Sequence, residues 1–549
     1  MTRWIVPMLL AAAMAVGWPL LLPWSYHTRD GAGAAVEAAQ AGAALHDGQI
    51  PVRWLPDLAS GRGLPVFLYA SPLAFYAIAL LHLTGLGVIV ATKIVVLAAL
   101  ALAALAMLAW LKTHVPLPAA AVGAAAYGAA PVAAAIVHVL GDPALAVAYA
   151  LVPLVLLGAR RGIPWLGLAF AALIVADATT ACAVLPLLAV YAVVLRAPGR
   201  IAAGVALGAL VAIFQWGPAW AERDLVDAVR APSPFGAWAL VKLASVPVAL
   251  LATGLAGGRG RERALAALGV AGLALAFAVD PVRPLVLVAV IAAVAAATAP
   301  LRLLLLALSS VPAAVTAAFA IAHRNPLLGL LAAGQVVAGA AAIAAATLDE
   351  RIAERGPPAI AGLLVALALP FSAVPVRSML TGDPPVATLH ERDLTPEQVR
   401  FVAGRPRPAD AGLPRTVAAG TPAPIPGPRA DVEVRGGQLD TSIVARTASR
   451  WTLDATSPEG AIVALELHDF PGWELTLAAP PGWRPEEVAH GADRAGRIAV
   501  SIPPGTWRVE ASWTETPLRR RCDEASAAGL GVLVVLLALP GVTIRRRRI

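Results

Sequence analysis

The chain has 549 residues, 59% of them hydrophobic and 14% charged, with a formal net charge of +8. A soluble domain cannot bury that apolar fraction, so the composition points to a polytopic membrane protein. The positive charge does not mark a nucleic-acid binder, because the arginines gather at the ends of apolar segments and no basic patch interleaved with aromatics occurs.

Residues 4–24 form an apolar stretch long enough to span the hydrocarbon, with no clean small-x-small cleavage site after it, and read as an uncleaved first helix with its amino terminus inside. Residues 25–65 follow as a first outer loop. Within it, 30–46 have an Ala-rich helical composition, and "PVRWLPDLASGRGLP" is broken by Pro and Gly into irregular structure. Residues 66–83, with "PVFLYASPLAFY", read as an interfacial helix, since aromatics favour the headgroup boundary. Further apolar segments lie at 86–111, 116–139, 143–159, 163–176, 180–195 and 201–220, then at 236–256, 264–279, 284–300, 302–321, 327–347 and 358–375, and last at 524–543. The expectation is about 12–14 transmembrane helices, with residues 1–375 as the main membrane domain.

Residues 376–430, with "GRPRP" and "GTPAPIPGPR", read as a Pro-rich linker. From 431 to 520 the signal is β: "AIVALEL", "WELTLAA", "GRIAVSI" and "TWRVEASW" are separated by Pro and Gly turns and fit an antiparallel β-sandwich. The segment 524–543 is the final span, and 544–549 is a basic cytoplasmic tail. The two cysteines, Cys182 and Cys522, have no metal-ligand spacing and read as small apolar fillers.

Charge sets the orientation. Sixteen basic residues fall at inner ends: Arg3, Lys112, Arg160, Arg161, Arg196, Arg200, Arg259, Arg261, Arg263, Arg302, Arg351, Arg355 and Arg545–Arg548. Seven fall in outer loops before residue 376: Arg29, Arg53, Arg62, Arg223, Arg230, Arg283 and Arg324. Lys and Arg near helix ends are retained in the cytoplasm, so both termini are expected there and the β region outside. The same threading places Asp30, Asp47, Asp57, Asp142, Asp177, Asp224 and Asp280 on the outer face.

Several stretches in order resemble one family. They are "LHDGQIPVRWLPDLASGRGLPVFLYASPLAFYAIALLHLTGLG", "YGAAPVAAAIVHVLGDPALAVAYALVPLVLLGARR", "ADATTACAVLPLL" and "LELHDFPGWELTLAAP" with "GRIAVSIPPGTWRVEASWTETPLRR". Together, and nearly over the whole chain, they are similar to bacterial YfhO-like membrane proteins, including a group named for 6-pyruvoyl-tetrahydropterin synthase. That family looks like a branch of the GT-C glycosyltransferases, which take a sugar from a polyprenyl-phosphate donor at the outer membrane face. The resemblance implies a GT-C-like transmembrane domain acting in the bacterial cytoplasmic membrane. It also implies an acidic general base or acceptor-positioning group in the first outer loop, and by position that residue is Asp30. The chain departs from the family pattern at three places. Ala34 stands where relatives place a His, "LGDPAL" replaces an Arg-Gly followed by Glu, and Ala176–Asp177 replaces a Ser-His pair.

Transfer from a lipid phosphate needs a base for the acceptor hydroxyl, positive charge for the leaving phosphate, and exclusion of water. Asp30 reads either as that base or as a solvated loop acid. Lys93, in the outer third of its span, either snorkels or holds a lipid phosphate, and Lys242 reads the same way. Arg53, in the "PVRW" turn, contacts phosphate bidentately or braces the loop. Asp142 and Asp177 open neighbouring spans and serve acceptor binding or helix capping, Asp142 being followed by Pro143. His323 and Arg324, in "AHRNP", form an outer turn that faces the same cavity or is a plain loop. No metal is required by these residues, and a divalent cation on outer carboxylates is left open.

The expected function is therefore a membrane glycosyltransferase with a polyprenyl-phosphate donor and a glycan, lipid or protein acceptor, working on envelope glycans beneath a β-sandwich. The alternatives are a non-catalytic lipid- or glycan-binding protein of envelope polysaccharide export and, more weakly, a transporter of a lipid-linked intermediate. A transporter would carry mid-bilayer ionisable or Gly/Pro-broken sites and paired halves.

Overall fold

The computed structural model describes residues 5–22, 28, 30–226, 432–480 and 484–538. The expected spans from 236 to 375, the linker 376–430, the tail 544–549, Lys242, His323 and Arg324 lie outside them. The chain divides into two compact units that do not follow chain order. The first comprises Met1–Gly31, Lys93–Ala206 and Pro232–Leu389, and the second Ala32–Thr92, Leu207–Ala231 and His390–Ile549. The segment expected as the first outer loop, from Ala32 onward, thus belongs with the β region rather than with the helices that flank it in sequence.

The helices form where apolar runs are bounded by caps and prolines. In the first unit, α1 (Ile5–Gly17) ends in a 3₁₀ turn (Trp18–Leu21). The helix of the first loop, α2, spans Gly31–His46 as its composition predicts. Three shorter helices follow in the second unit, α3 (Leu58–Gly61), α4 (Val66–Tyr69) and α5 (Leu73–Leu83), and then the long α6 (Val88–Leu111) begins. The expected interfacial helix 66–83 is therefore two helices, because Ala70 leaves the helical region before Pro72.

The first unit continues with α7 (Leu117–Gly128), α8 (Pro131–Ala134), a π-helical turn (Ala135–Leu140), α9 (Pro143–Arg161), α10 (Ile163–Ala176) and α11 (Ala178–Val194). The expected single span 116–139 is thus interrupted at Ala129–Ala130, ahead of Pro131, and widens into π geometry before Gly141. Small residues let these helices approach closely. A Cβ on Gly158 would meet backbone atoms of Trp165 and Leu166 at 2.8–2.9 Å, and α9 and α10 pack there.

The expected span 201–220 is two helices, α12 (Pro198–Val211) and α13 (Ile213–Ala221), bent by 75°. No Pro or Gly stands at the bend. Instead, the Ser526 hydroxyl of the last helix, α14 (Pro517–Ala538), donates to the Val211 carbonyl that a continuous helix would have used. Among the described residues, α6 and α9 are long and apolar enough to cross a membrane, and α12 with α13 makes a third if counted as one span.

The β region holds two antiparallel sheets, with strands β1 (Val432–Gly437), β2 (Asp440–Arg446), β3 (Arg450–Ser457), β4 (Ala461–His468), β5 (Trp473–Ala479), β6 (Arg484–Glu487), β7 (Gly491–Ala492), β8 (Arg497–Ile502) and β9 (Gly505–Trp513). The sheet orders are β1-β4-β8-β7 and β2-β3-β9-β5-β6. Inward residues alternate along β3, where Trp451, Leu453 and Ala455 are buried. They share one apolar core with Val463, Leu465, Leu475, Val500 and Val509.

Trp54 of the first loop enters that same core, fully buried. Its ring lies 5.5 Å from Trp473, edge-on, and 4.9 Å from Trp513. Gly63 adopts φ +77°, and a Cβ there would sit 2.4 Å from the Trp54 indole nitrogen, so only glycine admits the ring at this point.

Candidate functional site

The sequence-predicted acids of the first unit come together. The Asp30 amide donates to the Leu140 carbonyl at 2.8 Å, which joins the start of the first loop to the end of the π-helical turn. The Gly31 amide donates to Thr28 Oγ1 at 3.1 Å. Gly141, at φ +68°, is required at this seam, because a Cβ would lie 2.0 Å from Thr28 Oγ1.

One residue further on, Asp142 caps α9: its Oδ1 accepts from the amides of Ala144 (2.9 Å) and Leu145 (3.1 Å). Asp177 caps α11, accepting from the amides of Thr179 and Thr180, each at 3.2 Å, and from both threonine hydroxyls. Burial first, then the nearby carboxylates of Asp177 and Asp30, push the Asp142 carboxyl above the usual range against the pull of its two amides. Asp142 and Asp177 thus spend oxygens on backbone amides, whereas Asp30 is exposed to solvent. Of the three, Asp30 is exposed and Asp142 and Asp177 are half-buried.

Lys93 lies in the same unit. Its Nζ donates to the Leu22 carbonyl at 2.6 Å, closing the chain just past the 3₁₀ turn onto α6. His138, in the π-helical turn that leads to Asp142, is buried with its Nε2 2.7 Å from the Val16 carbonyl. Sequence reasoning passed over His138, although "VHVLGDP" places it four residues before Asp142, and π turns frequently mark functional sites. Among the described residues, no group of three His, Cys, Asp or Glu side chains is placed to hold a metal ion.

Arg53 belongs to a different arrangement, within the second unit. It is 2% exposed and pairs with Glu515 (3.0 Å) and Asp523 (2.6 Å), while Nη1 donates to the Phe214 carbonyl at 3.3 Å. Its guanidinium braces the loop against α13 and α14. Burial pushes Glu515 above the usual carboxylate range, outweighing the pull of Arg53. Beside it, Arg519 is fully buried and pairs with Glu222 through Nε (3.0 Å) and Nη2 (2.8 Å), beneath the faces of Phe470 and Trp513. A second network joins Arg62 to Glu466 at 2.8 Å, and Arg497 to Glu466, Glu433 and Asp493. The Asp47 carboxylate accepts from the Ala448 amide at 2.7 Å. Glu222, Arg519 and Glu466 carried no signal in the sequence, because each is a single charge whose partner is remote along the chain.

No protein-family model matches the chain, and no curated protein matches it. Two solved structures are similar to it. ArnT from Cupriavidus metallidurans, solved bound to undecaprenyl phosphate, has a TM-score of 0.45 at 18% identity, covering 70% of this chain and 79% of its own. The arabinosyltransferase EmbB from Mycobacterium smegmatis has a TM-score of 0.29 at 12% identity, covering 94% of this chain and 64% of its own.

Proposed function

We propose that the chain is a glycosyltransferase of the bacterial cytoplasmic membrane, of the GT-C and YfhO-like kind that its sequence resembles. It would take a sugar from a polyprenyl-phosphate donor at the outer face. The observation that supports this reading is the seam at Leu140, Gly141 and Asp30, which places a solvent-exposed carboxylate close to those of Asp142 and Asp177. In the reaction, the Asp30 carboxylate takes the proton of the acceptor hydroxyl, and the freed oxygen attacks the anomeric carbon. The carbon–oxygen bond to phosphate breaks, and polyprenyl phosphate leaves with the negative charge. The Lys93 ammonium is the positive charge of this unit assigned to that leaving group. The acceptor is a glycan, lipid or protein of the envelope.

The test is turnover of polyprenyl-phosphate sugars by the full chain in nanodiscs, wild type beside Asp30→Asn. Removal of a general base lowers turnover by about 10²–10⁴-fold. Loss of that size with unchanged thermal unfolding supports the assignment, and equal turnover in both proteins removes Asp30 from the role. A second reading, a lipid- or glycan-binding protein of envelope assembly, is favoured by the capping of Asp142 and Asp177, which removes two acids from chemistry. Donor binding without turnover across a panel of sugars would select it.

A further inference from the structure

The opposite charge pattern marks another part of the first unit. The ends of α6, α9 and α11, with the first turn of α12, carry Lys112, His114, Arg160, Arg161, Arg196 and Arg200, and the segments 112–117, 160–163 and 195–200 contain no Asp or Glu. Positive-inside retention explains why such residues accumulate at one end. It does not explain the contacts that His114, Arg161 and Arg200 make.

Tyr191 is the centre of that arrangement. Its hydroxyl oxygen accepts from Trp110 Nε1 at 3.1 Å and lies 2.8 Å from His114 Nε2, with the positive charges of Arg160 and Arg200 nearby. Arg200, from the first turn of α12, reaches back to the Ala159 carbonyl at 3.3 Å, one residue from Arg160. The buried Arg200 Nε has no acceptor among the described residues. Arg161 lies over the Trp165 ring, 5.5 Å from its centroid, and that indole is exposed. Arg196 closes α11 with φ +51°, a left-handed position where glycine is the default, so the chain keeps a guanidinium there at a conformational cost.

We propose that this end of the first unit binds the phosphate of an anionic phospholipid, with Arg160 and Arg200 as its ligands. Arg160 and Arg200, whose charges both lie near the Tyr191 hydroxyl, present forked donors that match phosphate oxygens. The buried Arg200 Nε then gains the acceptor it lacks. Trp165, exposed beside Arg161, sits at headgroup depth as interfacial aromatics do. Charge complementarity selects the anionic lipids of the cytoplasmic leaflet, to which clustered Lys and Arg are attracted. The inference shares only the membrane orientation with the proposed function and none of its chemistry, so lipid binding and sugar turnover succeed or fail separately.

The test is lipid retention by the delipidated full chain in native mass spectrometry, titrated with phosphatidylglycerol and phosphatidylcholine of equal acyl length, and with undecaprenyl phosphate. Phosphatidylglycerol is expected to bind at about thirtyfold lower concentration than phosphatidylcholine, the preference two arginines supply. The double variant R160Q/R200Q should lose the preference while keeping its orientation, since Lys112, Arg161 and Arg196 remain. The variant R160K/R200K keeps the charge and the fold but loses the fork, and should retain part of the preference. Equal binding of both phospholipids by the wild type overturns the proposal. So does an undiminished preference in R160Q/R200Q or, if that variant does not fold, in R160K/R200K. Retention of undecaprenyl phosphate without phosphatidylglycerol overturns it as well.

Discussion

The carboxylates of the two units are satisfied in different ways. In the first unit, Asp142 and Asp177 point at backbone amides and threonine hydroxyls of their own helices. In the second, Glu222, Glu466, Glu515 and Asp523 point at arginines from distant segments. A cap is a local bond that forms with its helix and stabilises it by about 1 kcal/mol. A buried ion pair contributes little net, but removing one partner strands the other in a low-dielectric interior. The first unit is therefore tolerant of single charge changes at its caps, and the second is sensitive to them.

The largest test of this contrast is Glu222→Gln, which leaves the fully buried Arg519 without its carboxylate and should cost about 3–5 kcal/mol. Thermal unfolding of the purified protein reads it. A Glu222→Leu/Arg519→Leu double variant less destabilised than Glu222→Gln would show that stranded charge, not lost attraction, sets the cost. Equal loss in both would break the comparison.

A smaller effect concerns pH. His468 is 1% exposed, its Nδ1 lies 2.8 Å from the Gly63 carbonyl, and burial holds its imidazole down to about 4. The folded state binds that proton less readily than the unfolded state, so unfolding takes it up. The β region should lose stability as pH falls from about 6.5 to about 4, by a few kcal/mol, and level off below. Hydrogen exchange along β4 measures the loss, and a His468→Gln variant should flatten it across that window. An unchanged slope in the variant would assign the dependence to other groups. Two are His490, raised by its bond to Asp469, and Glu466, which Arg62 and Arg497 hold low although burial alone would raise it.

The smallest effect is expected at Asp177→Ala, about 1 kcal/mol from the loss of a helix cap, with sugar turnover unchanged. Turnover that falls as far as in Asp30→Asn would place Asp177 in the reaction and dissolve the distinction between the three acids.

Local signals were legible wherever the chain itself carries the period. The helix 30–46 appears as Gly31–His46, and "AIVALEL", "WELTLAA", "GRIAVSI" and "TWRVEASW" fall on β4, β5, β8 and β9. The Asp-Pro at 142–143 reads directly as a cap, since the bond spans only two or three residues. What failed was continuity. The span 201–220 breaks where Ser526 takes the Val211 carbonyl, and 116–139 breaks ahead of Pro131, whose effect the apolar run concealed.

Composition and charge placement by themselves determined a membrane-embedded chain with a β region near its carboxyl end, because apolar fraction and strand alternation are properties of short windows. Only the tertiary structure decided that Trp54 completes the β core, that Arg53 is held by Glu515 and Asp523, and that Asp30 meets Leu140. Each of those contacts joins segments 110 or more residues apart, and the pairing energy that selects them depends on burial and geometry that no single window of sequence contains.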